Sequence, residues 1–308
     1  MINTKYKQLF TKELNHWMEQ KKNFYLIDTM LGDHFRKIHL PNAINVCVFE
    51  VTFVDQVKAI TEDKDAEIVL YGSGTESMEA IMAAEKLERE GYRHINVLKG
   101  GLKAWRSDGL SLEGEAVDEP DVPQTLLKLE DRSYRVDTNQ SVVEWTGRNP
   151  NTSHFGNIKI ATGELAVKDE IITGKFDIDM KSITNKSLEG DELQPVLIAH
   201  LKSDDFFLSS LFSTAKFEIH NSTPIKEPFL TVPNYSINGA LELRGVKAEQ
   251  GFMATVSKTA ENSLTVEAHF DIDRTRWNII YGSTRFFDHL GMHLVFDLIS
   301  IQVRIVAS

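Results

Sequence analysis

The sequence predicts two domains of different class: an α/β domain built on a parallel sheet, then an all-β domain of antiparallel strands closed as a barrel or packed as a sandwich. Three observations carry this. The chain has 308 residues, more than one ordinary core accommodates. Short apolar runs alternate with helical patterns through the first third. From Tyr134 onward apolar residues recur at every second position, the period of a strand with one buried face.

In the first domain, Thr4–Gln20 places Tyr6, Leu9, Phe10, Leu14, Trp17 and Met18 near one helical face and reads as a helix. Phe24–Asp28, Ile44–Val48, Glu67–Tyr71 and Ile95–Leu98 read as buried strands. Helices are expected over Phe53–Thr61 and over Ser77–Glu90, the latter stopped by Gly91. Residues 113–131 carry seven acids against Lys128, with Pro120 and Pro123, and read as an acidic linker holding at most one helical turn near Leu126-Leu127. The expected division is therefore 1–112, linker 113–131, and 132–308. In the second domain Val143 and Trp145, Leu165 and Val167, and Phe176, Ile178 and Met180 each alternate with polar neighbours. The same holds for Phe217 and Ile219, Leu241 and Leu243, Leu264 to Ile272, and Ile299 to Ile305. Lys168-Asp169-Glu170, Gly251 and Glu261-Asn262 read as turns between about eight or nine strands. Residues 190–212, with Pro195, interrupt the pattern as a helical or irregular insert.

Composition narrows the function. The net charge is −11, nearly all of it after residue 112, which argues against nucleic acid or an anionic membrane surface as partner. No apolar run reaches the 18 residues of a spanning helix. The first residues have no apolar stretch of the secretory kind, so cytoplasm is the expected location. The single cysteine, Cys47, excludes an internal disulfide and sits in the apolar run Val46-Cys47-Val48, where a buried inert thiol is expected. His154, His200, His289 and His293 are too scattered to predict a metal site, and no cofactor is expected.

Several stretches of the first domain resemble the rhodanese family in order and spacing. They are Leu26-Ile27-Asp28, Ile38-His39-Leu40-Pro41-Asn42-Ala43-Ile44-Asn45, Ile68-Val69-Leu70-Tyr71, and Val97-Leu98-Lys99-Gly100-Gly101-Leu102-Lys103-Ala104-Trp105. In active members the resemblance implies a cysteine directly after the strand that ends here in Tyr71. Loop N–H groups and a helix N-terminus there stabilise a sulfur-accepting thiolate. This sequence has Gly72, and its loop, Gly72-Ser73-Gly74-Thr75-Glu76-Ser77, offers no thiol and no cation. Glu76 is expected to oppose an anionic substrate, and His39 to be a structural hydrogen-bonding residue rather than a base for Ser73 or Ser77. No catalytic residue is assigned. What remains is a degenerate loop with residual capacity for a small anion.

The second domain presents apolar strand faces that either fill a core or enclose a ligand, and periodicity leaves both open. Tyr134-Arg135-Val136-Asp137, Ser141-Val142-Val143-Glu144-Trp145, His200-Leu201-Lys202-Ser203-Asp204-Asp205-Phe206-Phe207 and Asp273-Arg274-Thr275-Arg276-Trp277 resemble the YceI-like, lipid- or polyisoprenoid-binding family. The resemblance implies a lipocalin-like antiparallel barrel with a long-chain amphiphile along its axis. Expected lining residues are Trp145, Phe176, Ile178, Phe206, Phe217, Phe270 and Trp277. Expected head-group residues are His200, Asp204, Arg274, Arg276 and Tyr281. The reading is a carrier of a hydrophobic small molecule (isoprenoid, quinone or fatty-acyl compound), with the first domain as an interaction or regulatory module for a protein partner. The alternative is a sulfurtransferase-like or hydrolytic enzyme whose barrel supplies the substrate.

Overall fold

The computed structural model describes residues 6–120, 127–225, 230–259 and 263–308. The chain divides into two compact units, 1–121 and 122–308.

The first unit runs β1 (Lys7–Leu9), α1 (Thr11–Glu19), β2 (Tyr25–Asp28), α2 (Gly32–Lys37), β3 (Ile44–Asn45), α3 (Phe53–Ile60), β4 (Glu67–Tyr71), α4 (Glu79–Arg89), β5 (His94–Leu98) and α5 (Gly101–Ser107). Its five strands form a parallel sheet in the order β1-β5-β4-β2-β3. Helices cover both faces, so β4 is buried on both. Ile68 and Leu70 join one core with Val57, Ala83, Ala84 and Leu87, and Val69 and Tyr71 join the other with Leu14, Leu102 and Trp105.

The expected helix from residue 4 is corrected. Residues 4 and 5 lie outside the described residues, and Lys7–Leu9 pair in parallel with Asn96–Leu98 instead. Pairing with β5 outweighs the local helical pattern, and α1 starts after Phe10, whose N–H donates to the Glu13 carboxylate at 2.9 Å. The run 44–48 is a strand only over its first two residues. Beyond them Val46 N–H donates to the Asp28 carbonyl and Val48 N–H to the Thr29 carbonyl.

The acidic stretch read as a linker is, over its first residues, part of the first unit. His39 and Glu113 exchange backbone hydrogen bonds, Glu115 and Ala116 N–H donate to Arg36 and Lys37, and Arg106 donates to the carbonyls of Val117 and Glu119. Residues 121–126, including Pro123 and Leu126, lie outside the described residues; Leu127 and Leu129 pack on the core of the second unit.

The second unit contains β6 (Arg132–Arg135), β7 (Val142–Arg148), β8 (Ser153–Lys168), β9 (Ile171–Asp179), α6 (Gln194–Lys202), β10 (Thr214–Pro224), β11 (Tyr235–Leu243), β12 (Val246–Lys258), β13 (Leu264–Asp273) and β14 (Leu298–Ala307). Eight antiparallel strands close a ring, β8-β7-β14-β13-β12-β11-β10-β9 and back to β8, while β6 pairs with the far half of β8. The structure is thus a closed barrel and not a sandwich. Closure leaves no open edge in the ring. Asp169-Glu170 and Arg244-Gly245 make two-residue turns, all four residues at positive φ as such tight hairpins require. Gly251 is no turn: it lies inside β12 opposite Asn238. The Glu261-Asn262 turn falls outside the described residues.

The strand register sorts the connections by end. One end carries the two long excursions, 180–213 with α6 and 274–297, beside the β7–β8 turn. At the opposite end Ile172, Val256, Leu264 and Ala307 are fully buried, and Asn234 bridges the Val256 backbone with bonds of 2.7 and 2.8 Å. No helix among the described residues is long and apolar enough to cross a membrane.

Candidate functional site: an apolar cavity with one polar end

Strand alternation turns one face of every ring strand inward. The side chains leave a cavity of about 330 Å³ instead of filling the barrel. Of the residues expected to line it, Trp145, Phe176, Ile178, Phe206, Phe217 and Phe270 do so. Trp277 does not. It follows the end of β13 in a 3-10 turn, where alternation no longer applies, and is fully buried with its indole N–H donated to the Leu241 carbonyl at 2.9 Å.

Phe252, not among the residues expected from the sequence, also lines the cavity, between Phe217 and Phe270. It stacks on Phe270 with 4.2 Å between ring centroids and 4° between planes, and meets Phe217 at 5.6 Å. The signal was the run Phe252, Ala254, Val256 at period two, hidden by taking Gly251 as a turn.

Polar lining groups gather at the end carrying the excursions. Arg148 ends β7, Asn149 follows it in the turn and His154 lies at the start of β8; His200 comes from α6, Arg274 and Tyr281 from the 274–297 excursion, and Gln250 from β12. His200 Nε2 lies 2.9 Å from Asp205 Oδ2, and its ring meets the edges or faces of Phe206 and Tyr281 at 4.9 Å each. The Tyr281 hydroxyl and His293 Nδ1 are 3.0 Å apart. His154 Nδ1 lies 3.1 Å from the Ser187 hydroxyl.

The two arginines at the cavity are already engaged. Arg274, 2% exposed, donates from all three guanidinium nitrogens: to the carbonyls of Phe296 at 3.1 Å, Ile279 at 2.6 Å and Val295 at 3.0 Å. It also lies 3.5 Å from the Asp297 carboxylate. Arg148 donates to the Ser300 hydroxyl at 2.8 Å. Two head-group candidates lie off the cavity. Asp204 is exposed, and its carbonyl accepts from Arg244 at 2.7 Å. Arg276 is exposed, stacks over Trp277 and donates to the Glu249 carbonyl and the Gln250 side chain. Among the described residues no group of three or more His, Cys, Asp or Glu is placed to hold a metal ion.

In the first unit the loop after β4 is closed on itself. Gly74 N–H donates to the Ser77 hydroxyl at 3.1 Å, and that hydroxyl donates back to the Gly74 carbonyl at 2.9 Å. The Gly72 and Ser73 carbonyls accept from Leu102 and Lys103 at the start of α5. Gly101, at φ +53, faces the Gly72 carbonyl so closely that a side chain there would collide with it. Thr75 and Glu76 are exposed. The carboxylate that stands against Gly72 is that of Glu79, not Glu76; its Oε1 accepts from the Ser73 hydroxyl at 3.2 Å. His39 donates from Nδ1 to the Phe35 carbonyl at 2.7 Å, and its Nε2 lies 3.7 Å from the Glu113 carboxylate. Cys47 is buried, 4% exposed.

Compared with known proteins, residues 134–307 match the family described as YceI-like domain, and residues 10–108 match the Rhodanese-like domain family. The chain is 35% identical over 103 residues to the adenylyltransferase and sulfurtransferase UBA4 of Candida albicans; the match covers 32% of this chain and only 23% of that protein. It shares 19% identity with the structure of BcnA from Burkholderia cenocepacia, covering 56% of this chain and 99% of that one, at a TM-score of 0.45. A polyisoprenoid binding domain from Saccharophagus degradans is 12% identical, covering 57% and 97%, at a TM-score of 0.39.

Proposed function

The chain belongs to the YceI-like domain family, and from that premise we propose that its barrel binds and carries a long-chain hydrophobic amphiphile, with the head group at the polar end and the tail in the lumen. One observation supports this above others: the lumen is hollow, and its apolar walls end in a mouth that holds the polar lining groups. A tail in such a lumen gains about 0.8 kcal/mol for each buried CH₂, so about ten buried carbons supply about 8 kcal/mol, the free energy of a micromolar Kd, before the cost of ordering the tail is set against it. Asn149, His154, His200 and Tyr281 are the groups placed to meet a head group. Arg274 shapes the mouth rather than contacting cargo, because its donors are committed to backbone carbonyls. The rhodanese-like unit acts without sulfur-transfer chemistry, since Gly72 stands where that chemistry needs a thiolate.

The test is organic extraction of the purified chain followed by mass spectrometry, with titration of the delipidated protein by a fluorescent fatty acid and by decylbenzoquinone. A lipophile released in near-equimolar amount, or saturable micromolar binding of either probe, is expected. A chain that releases nothing and binds neither probe overturns the proposal. The enzyme alternative predicts cyanide-dependent turnover of thiosulfate; none is expected.

A further inference from the structure

Glycine at position 72 leaves the loop after β4 without a thiol nucleophile. That does not explain what occupies the nucleophile's place. Gly72 is buried, and its φ is not in the left-handed region, so backbone conformation does not require glycine there. The requirement is spatial. A Cβ built on Gly72 would lie 2.7 Å from Glu79 Oε2, 3.3 Å from Glu79 Cβ and 3.3 Å from Ser77 Oγ. Glu79 is the first residue of α4, where the helix dipole favours an anion. Its Oε1 accepts the Ser73 hydroxyl, while its Oε2 is buried and has no hydrogen-bond partner. A buried carboxylate oxygen without a donor is costly, and this one stands against the bare Cα of Gly72.

The geometry points to Glu79 as a resident anion that fills the volume and the helix-terminal position a thiolate on residue 72 would take. The domain therefore carries two locks against sulfur transfer, a missing thiol and an internal carboxylate in its seat. A cysteine placed there alone would set its Cβ against the carboxylate end of Glu79, which must shift to make room and, where it stays close, opposes ionisation of the thiol by like charge. Glu79 accepts no loop N–H, so what its removal gives a thiolate is the room beside residue 72 and relief from the opposing charge at the helix terminus.

The experiment compares Gly72→Cys with Gly72→Cys/Glu79→Ala in the full chain, labelled with iodoacetamide at neutral pH and read peptide by peptide, so that Cys47 serves as an internal buried reference. Position 72 is expected to react at least tenfold faster in the double variant. Equal rates would overturn the inference. Should Gly72→Cys fail to fold while the double variant folds, the seat is occupied as described. A thiol-free cycle decides independently: Gly72→Ala is expected to lower the melting midpoint of the natural chain more than it lowers that of Glu79→Ala. Strictly additive shifts would show that the two positions do not compete.

Discussion

Arg274, a head-group candidate on sequence grounds, borders the cavity with its guanidinium donors committed to backbone carbonyls. Its fork of donors closes on three carbonyls from two stretches, 279 and 295–296, and it faces Asp297, while Arg285 ties Asp297 at 3.0 Å to Asp273 at 2.6 Å. The excursion that forms one side of the mouth is thereby fastened to the barrel end. Arg274→Met would leave three carbonyls without their donor and a largely buried carboxylate without its nearest buried cation. A buried acceptor left without its donor costs about 1–3 kcal/mol, whereas Asp297 keeps Arg285 at 3.0 Å; Arg274→Met is therefore expected to lose about 3 kcal/mol or more in urea denaturation through its three carbonyls, and a loss below about 1 kcal/mol would refute the assignment. Arg274→Lys should fall between, because a single ammonium cannot reach carbonyls spread in a plane. Glu79 shows the converse limit of sequence reading. Its approach to Gly72 depends on the path of the intervening loop, and no spacing rule reports that path, whereas Glu76 looked closer and points outward.

The strands of the ring were legible because a barrel strand has one dry face and one wet face, so every second residue announces itself. Where that condition fails, the reading failed. β1 is a three-residue edge strand inside a helical pattern, and only pairing with β5 reveals it. Trp277 lies beyond the end of β13, where inward and outward lose meaning. Hollow or filled was not legible at all, since apolar faces of the same period line a core or a tunnel. The lumen depends in part on small residues facing one another: Ala254 and Ala268 are paired across β12 and β13, both fully buried, and Ala268 borders the cavity. Ala268→Trp puts a large ring into that space. It is expected to weaken probe binding at least tenfold while the far-ultraviolet circular dichroism of the barrel persists, at an overpacking cost of about 1–3 kcal/mol. Unchanged affinity would mean that cargo does not occupy this part of the lumen.

At the scale of the whole chain, the change of period near Tyr134 separates two units with their own cores, and the division at 121/122 falls inside the acidic stretch 113–131, whose first residues belong to the first unit. The acidic residues after 112 looked like solvated linker because charge runs usually are. Their backbone instead completes the first unit beside His39, an arrangement of donors and acceptors that composition does not encode. The division has a functional consequence. Every residue bordering the cavity lies between Val143 and Ile305, and the barrel ring closes entirely within the second unit. Leu127 and Leu129 pack against its core, so a fragment that keeps them keeps every described residue of that cluster. A fragment of residues 127–308 is therefore expected to fold and to bind the fluorescent fatty acid with a Kd within about threefold of the full chain, since an affinity ratio of three is well under 1 kcal/mol. Isothermal titration of both proteins checks this. A tenfold or larger loss in a fragment whose circular dichroism is that of a folded barrel would show that the rhodanese-like unit contributes to cargo binding, and would replace a self-sufficient carrier domain by a site that needs both.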